Sequence, residues 1–403
     1  MQLSASHICT LTCVLALAFA LTAVAQNSTA PSPEAATAAT TTTSQFVFVP
    51  LGDNASFGAN VRRMSEYRIN PSTGALTVVN KALKAQNNVD FTFRDPKQRF
   101  LYAVGHIPGS NVNSDIAEYR VNGSTGAITA LPGSPFGAAL HQELSPGVIR
   151  PDLKFAYLLD SQSVNILHII SMNPSTGAMV KEVSTVNIPG SGDFLFDLHF
   201  DPSGKFLYVA EGEANTIDAF VSNPTTGALT PVRGSPFVPR GSTSGLCSPR
   251  ESFCGGSVAI SGNHHLYYVS SLFNGVSEFQ INPTTGALTE MAGSPVANPA
   301  HEGLGVRIAP NGKHLYVNAP DVSEIVAYTI NTTTGKLTKV TGSPFKAGGQ
   351  DNFMDIDQTG KFLYAANGNT VSGFHINSTT GVLTRVPGSP FSASGNTGVT
   401  IVH

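Results

Sequence analysis

Alternating apolar and polar residues lead seven times into the same turn, Asn-x-Ser/Thr-Thr-Gly, and out of it into a second short strand. The turn glycines are Gly74, Gly126, Gly177, Gly227, Gly286, Gly335 and Gly381. They are spaced by 46 to 52 residues, except for one interval of 59 between Gly227 and Gly286. Glycine supplies the left-handed residue of a type I turn with a bulge, and Pro, where present as in Pro71, presets the preceding φ. A second pattern precedes each copy from Gly126 on, starting at Asp95, Arg150, Asp201, Ser261, Ala309 and Asp357. It reads as a tight turn followed by a buried, aromatic-rich strand. Tyr102, Tyr157, Tyr208, Tyr268, Tyr316 and Tyr364 are expected in equivalent places, packing one repeat on the next.

Two hairpins make a four-stranded unit, and repetition of such units at this period predicts a β-propeller. The chain ends supply the count. SQFVFVPLG from Ser44 starts on a second strand, and NTGVTIVH from Asn396 stops after a first one. The carboxyl-terminal strand should therefore sit innermost in the blade whose other strands come from the amino-terminal side, leaving no sheet edge at either end. The expectation is an all-β, seven-bladed propeller over 44–403 with four-stranded antiparallel blades.

What precedes it differs in kind. Residues 1–25 lack Asp, Glu, Lys and Arg, and an apolar run from Ile8 to Thr22 ends in Ala23-Val24-Ala25. That pattern predicts a signal peptide cleaved near Ala25/Gln26, a secreted or periplasmic protein, and no membrane span after cleavage. Residues 26–43, almost all Ala, Thr, Ser and Pro, read as a flexible linker. The mature chain would keep Cys247 and Cys254, which an oxidising compartment should pair as a disulfide, two free thiols being the alternative. Both lie in the one long interval, an insertion in one blade. Charged residues are only 12% of the chain and the net charge is -3, without the basic footprint of a nucleic-acid binder. A monomer is expected.

With both motifs in view, the chain resembles the seven-bladed β-propeller lactonase family, which includes a type of 6-phosphogluconolactonase and the carboxy-cis,cis-muconate cyclases. The resemblance is carried by DPSGKFLYVAE from Asp201, APNGKHLYVN from Ala309 and the repeated Thr-Gly-Ala-Leu-Thr, and spans essentially all of 44–403. It implies polar groups near the channel: a His-x-His element, an Arg-His pair, a Glu and a further Arg. Counted from the hairpin turns, these positions are Glu143 and Ser145, then Phe196 and Asp197, then Gly212 (flanked by Glu211 and Glu213), and a place near Pro320. On this alignment the family's catalytic set is largely missing.

The loops of one face should gather around the channel, where functional residues usually lie. Catalytic candidates there are Glu211, Glu213, His141, Glu143, His301 and Glu302, and binding candidates are Asp193, Asp197, Arg240, Arg250, Asp351 and Asp355. For each, a solvated loop charge is the plainer alternative. His264-His265 reads as a surface turn on the opposite face, and the serines of the repeated Gly-Ser-Pro as structural. No metal motif or cofactor signature is present, and the absence of Trp disfavours a quinone site. Two functions remain. The leading one, because the family's catalytic set is largely missing, is a binding or scaffold propeller presenting its channel mouth to an envelope protein or glycan. The other is a lactone hydrolase or lactone-forming cyclase with a rearranged site, taking a small lactone or carbohydrate ligand.

Overall fold

The computed structural model describes residues 44–51, 63–107, 114–137, 144, 147–160, 166–188, 195–212, 214–242, 255–270, 273–298, 303–349, 353–396 and 398–403. The leader and linker expected at 1–43, and Cys247 with Cys254, lie outside them. The described residues form seven antiparallel sheets of four strands, three of them extended by a further short strand. In blade 1 the order from the centre is Thr400–Val402, Phe46–Pro50, Arg63–Ile69 and Leu76–Lys84, so the carboxyl-terminal strand closes the ring as expected. The innermost strands of blades 2 to 7 are Asn88–Arg94, Val148–Ile149, Leu195–Phe200, Gly256–Ile260, Gly305–Ile308 and Met354–Ile356.

The core lies between blades. Seven apolar clusters are found among the described residues, one at each junction of neighbouring blades. The repeat explains how each junction forms. The ring that opens the second strand of a blade stacks on the turn glycine of the next. Phe46 meets Gly126, Phe100 meets Gly177, and so on around to Phe362 on Gly74, with His265 and His314 taking the ring's place in blades 5 and 6. Gly286 is representative: its φ is +78°, and a Cβ there would lie 2.4 Å from Phe206 Cδ1. Two residues on, in blades 2 to 7, a tyrosine hydroxyl donates to the same glycine's carbonyl, as in Tyr208 to Gly286 (2.8 Å) and Tyr364 to Gly74 (2.6 Å), whereas blade 1 has Phe48 there. In blade 5 that tyrosine is Tyr267, bonded to Gly335 (2.7 Å), and not Tyr268, which donates to the Glu211 carbonyl (2.8 Å). Successive strand residues face opposite sides, so the pair Tyr267-Tyr268 serves both junctions of its blade.

The Gly-Ser-Pro serines are structural. Ser134, Ser235, Ser294, Ser343 and Ser389 each accept the backbone N–H of the third strand, at Glu118, Ala219, Glu278, Ala327 and Gly373. The detour splits the outer strand in five blades; blades 1 and 3 lack it and keep nine-residue outer strands, Leu76–Lys84 and Met179–Asn187. Asp95, Asp201 and Asp357 bond the backbone N–H groups of their own turns, as at Asp201 to Phe206 (2.7 Å). His264 does sit in a tight turn, with φ 60°, but its neighbour His265 is buried at 6% exposure against Gly335.

Candidate functional site

The inner strands surround a cavity of about 430 Å³, and the polar side chains that reach it form two groups. The first crosses blades 4 to 6. Asp197 and His199 alternate on strand Leu195–Phe200, which puts both on one side of it. His199 Nε2 lies 3.3 Å from Asp197 Oδ1, and Arg307 Nη1 lies 3.6 Å from Asp197 Oδ2. Ser257 Oγ donates to Asp197 Oδ2 and accepts the Val306 N–H (3.2 Å), tying the intervening blade into the group. Burial opposes ionisation of Asp197, but the charges of His199 and Arg307 and the hydrogen bonds from His199 and Ser257 outweigh it. Its carboxyl is held below the ordinary range. The His199 side chain is 36% exposed, so its ring is reachable from the cavity.

The second group crosses blades 7, 1 and 2. Arg94 pairs with Asp355, whose Oδ2 also accepts the Ile401 N–H (2.9 Å) of the closing strand. Asp355 Oδ1 accepts its neighbour's N–H at Ile356 (2.9 Å). Thr92 and Thr400 share a hydrogen bond of 2.8 Å beside them.

Of the residues expected from sequence, Asp197 and Asp355 are brought to the channel, though on inner strands and not on loops. Arg240 is not: it pairs with Glu290 (Nε–Oε2 3.1 Å) on the outer strand of blade 5 and donates to the Met291 carbonyl. Glu211 ends the second strand of blade 4 and is 1% exposed, away from the cavity lining. It accepts from Thr216 Oγ1 (3.2 Å) and neighbours Asp218. Burial first, then the Asp218 carboxyl, push Glu211 far above the usual carboxylate range, so it is protonated at neutral pH. Glu213, His141, Glu143, His301, Glu302, Asp193, Arg250 and Asp351 lie outside the described residues.

His199, Arg307 and Arg94 were not singled out from the sequence. Part of the signal was there: His199 in LFDLHF and Arg307 in GVRI are polar residues set among apolar ones in short innermost strands. The Arg-His pair implied by the resemblance falls on Phe196 and Asp197, two positions short of a real histidine; the later Arg falls near Pro320, in the blade that carries Arg307.

Among known proteins, the family model for lactonases with a seven-bladed β-propeller matches residues 257–400. No curated protein matches the chain. Solved structures share its fold at low identity. A candidate 6-phosphogluconolactonase from Bacteroides fragilis is 18% identical over 90% of this chain and 99% of its own, with a TM-score of 0.66. One from Bacteroides uniformis is 17% identical over 89% and 100%, at 0.69. The periplasmic gluconolactonase of Pseudomonas aeruginosa is 14% identical over 89% and 99%, at 0.69. The described residues form a seven-bladed propeller, and residues 257–400 are similar to the lactonases built on that fold.

Proposed function

We propose that this propeller opens the ring of a small lactone in its central channel, with His199 as general acid–base, Asp197 orienting it and Arg307 facing the carbonyl oxygen. The observation that carries this reading is a reachable histidine held by a partly buried carboxylate, with a guanidinium on the carboxylate's other oxygen, inside one cavity. With Asp197 accepting from Nε2–H, the free lone pair is on Nδ1. Nδ1 takes a proton from water as the water oxygen bonds to the lactone carbonyl carbon. The charge that develops on the carbonyl oxygen meets a guanidinium, since Arg307 engages the Val306 carbonyl through Nη1 alone and keeps other N–H donors for a ligand. The ring C–O bond then breaks, and the proton on His199 passes to the leaving oxygen to give a hydroxy acid.

General base catalysis of this kind contributes about 10²–10⁴ in rate. His199→Ala should therefore lose at least a hundredfold in kcat on the best substrate of a panel of aliphatic, aromatic and sugar lactones, read by proton release. An alanine variant as active as the parent would sink the assignment.

A second reading, a binding or scaffold propeller, has one observation in its favour. Each guanidinium is already matched by a carboxylate that ties three consecutive blades, as a brace would be. A folded protein without turnover on any lactone would leave that reading, with an envelope protein or glycan as the partner. Both readings place the protein outside the cytoplasm, on the strength of the leader-like segment at 1–25.

A further inference from the structure

We infer that the channel takes an uncharged lactone with an aromatic or aliphatic body, in preference to an anionic or a sugar ligand. This rests on the reading of the channel as a lactone site.

The first ground is charge. Among the described residues lining the cavity, the carboxylates of Asp197 and Asp355 meet the guanidiniums of Arg307 and Arg94, while Asp95 and Asp201 are buried with their oxygens on the N–H groups of their own turns, and Asp95 also lies 3.6 Å from Arg99. Both guanidiniums are paired with a carboxylate, and no other Lys or Arg is among the lining residues described. A phosphorylated sugar or a polycarboxylate would have to leave its water without an unmatched cation to meet it. A neutral lactone bears no such cost. Its ring-opened acid ionises at neutral pH and, like the other anions, meets no unmatched cation there.

The second ground is the wall beside the polar group. Phe91 of blade 2 and Phe353 of blade 7 meet edge to face, with ring centroids 6.2 Å apart. Between them blade 1 contributes Gly398, which has no side chain to cover the rings. Val148 and Phe200 continue the apolar lining. These surfaces offer a sugar's hydroxyls no partners, whereas an aromatic or aliphatic body would bury against them. A cavity of about 430 Å³ lies in the range of small-molecule pockets.

The test compares four probes: dihydrocoumarin, its ring-opened hydroxy acid, glucono-δ-lactone and 6-phosphogluconate. Binding is measured by calorimetry on folded His199→Ala protein, and turnover on the parent. Dihydrocoumarin should bind at least tenfold tighter than each of the other three. Phe353→Ala, introduced into the same background, should weaken it about fivefold or more and leave the sugar probes unchanged. Tight dihydrocoumarin binding without turnover in the parent would uphold the ligand class and remove the proposed catalysis. Preferential turnover of glucono-δ-lactone would uphold catalysis and overturn the ligand class. Equal or tighter binding of either anion, or no binding of dihydrocoumarin, would also overturn it.

Discussion

The repeated glycine carries two separate demands, and they can be measured apart. Gly286 has a φ of +78°, and a Cβ added there would lie 2.4 Å from Phe206 Cδ1 and 2.6 Å from Cε1. Phe206 is 1% exposed within the cluster between blades 4 and 5, so the ring has little room to retreat. Gly312 has a similar φ of +68° but nothing within 4 Å of an added Cβ. Alanine at either site takes on the left-handed backbone, at about 1–2 kcal/mol. At Gly286 it must also displace a packed ring, an overpacking cost of about 1–3 kcal/mol. Gly312→Ala should therefore lose about 1–2 kcal/mol and Gly286→Ala about 2–5 kcal/mol in urea unfolding followed by circular dichroism. If the two variants lost the same stability, the ring-on-glycine contact would not be what fixes glycine in the repeat.

Two further outcomes follow from the buried carboxylates. Glu211 is raised from 4.5 to about 9, so the folded state holds a proton that the unfolded state gives up over that interval. Its stabilising contribution is complete below the ordinary carboxylate range and is lost as pH rises through the raised value, with a slope of up to about 1.4 kcal/mol per pH unit. Glu118, raised to about 7 by burial, adds to the slope only at its lower end. Between pH 7 and 9 Glu211→Gln should therefore flatten the decline, and an unchanged slope would remove Glu211 as its source. At the channel, Asp355→Asn should cost about 2–3 kcal/mol in unfolding while sparing most turnover, because it breaks a largely buried ion pair at the ring closure. Asp197→Asn should lower kcat at least a hundredfold, and the reverse pattern in that pair of variants would transfer the chemistry to the other group.

The fold was legible in the sequence because its constraints recur locally. The asparagine of each turn accepts the N–H groups two and three residues on, as Asn282 does from Thr284 (2.9 Å) and Thr285 (3.1 Å), and the glycine must fit beneath a ring. Both demands fall within a few residues and repeat, so they leave a motif. Ring closure was legible for a similar reason, since a half-blade at each end has one way to pair. Tyr268 was misplaced by one residue because two tyrosines stand side by side, and a one-residue slip exchanges the faces of a strand. The candidate site left no motif. Asp197, Ser257 and Arg307 stand on three different blades, one residue to each, and meet only because the ring brings successive inner strands together. Weighting loops as the seat of function drew attention to residues such as His141 and His301 and away from strand interiors. Arg240, chosen on that weighting, fastens its loop to Glu290.

Set side by side, the two channel groups show why one is read as a brace and the other as a site. Both run carboxylate, middle blade, guanidinium: Asp355, Ile401 and Arg94 in one, Asp197, Ser257 and Arg307 in the other. In the first, one oxygen of Asp355 caps the Ile356 N–H and the other takes both Arg94 and the closing strand's N–H. Every partner there is structural, and the group holds the carboxyl-terminal strand in place. In the second, the middle blade contributes a side chain where the first has a backbone N–H, and a histidine is added whose ring stays 36% exposed. Stability alone needs no titratable ring on a charge-paired carboxylate at a cavity wall; an acid–base reaction needs that arrangement, with the carboxylate fixing the tautomer and the imidazole open to the substrate. The ring closure at blades 7, 1 and 2 accounts for the first group, and the proposed acid–base role is what gives His199 its place in the second.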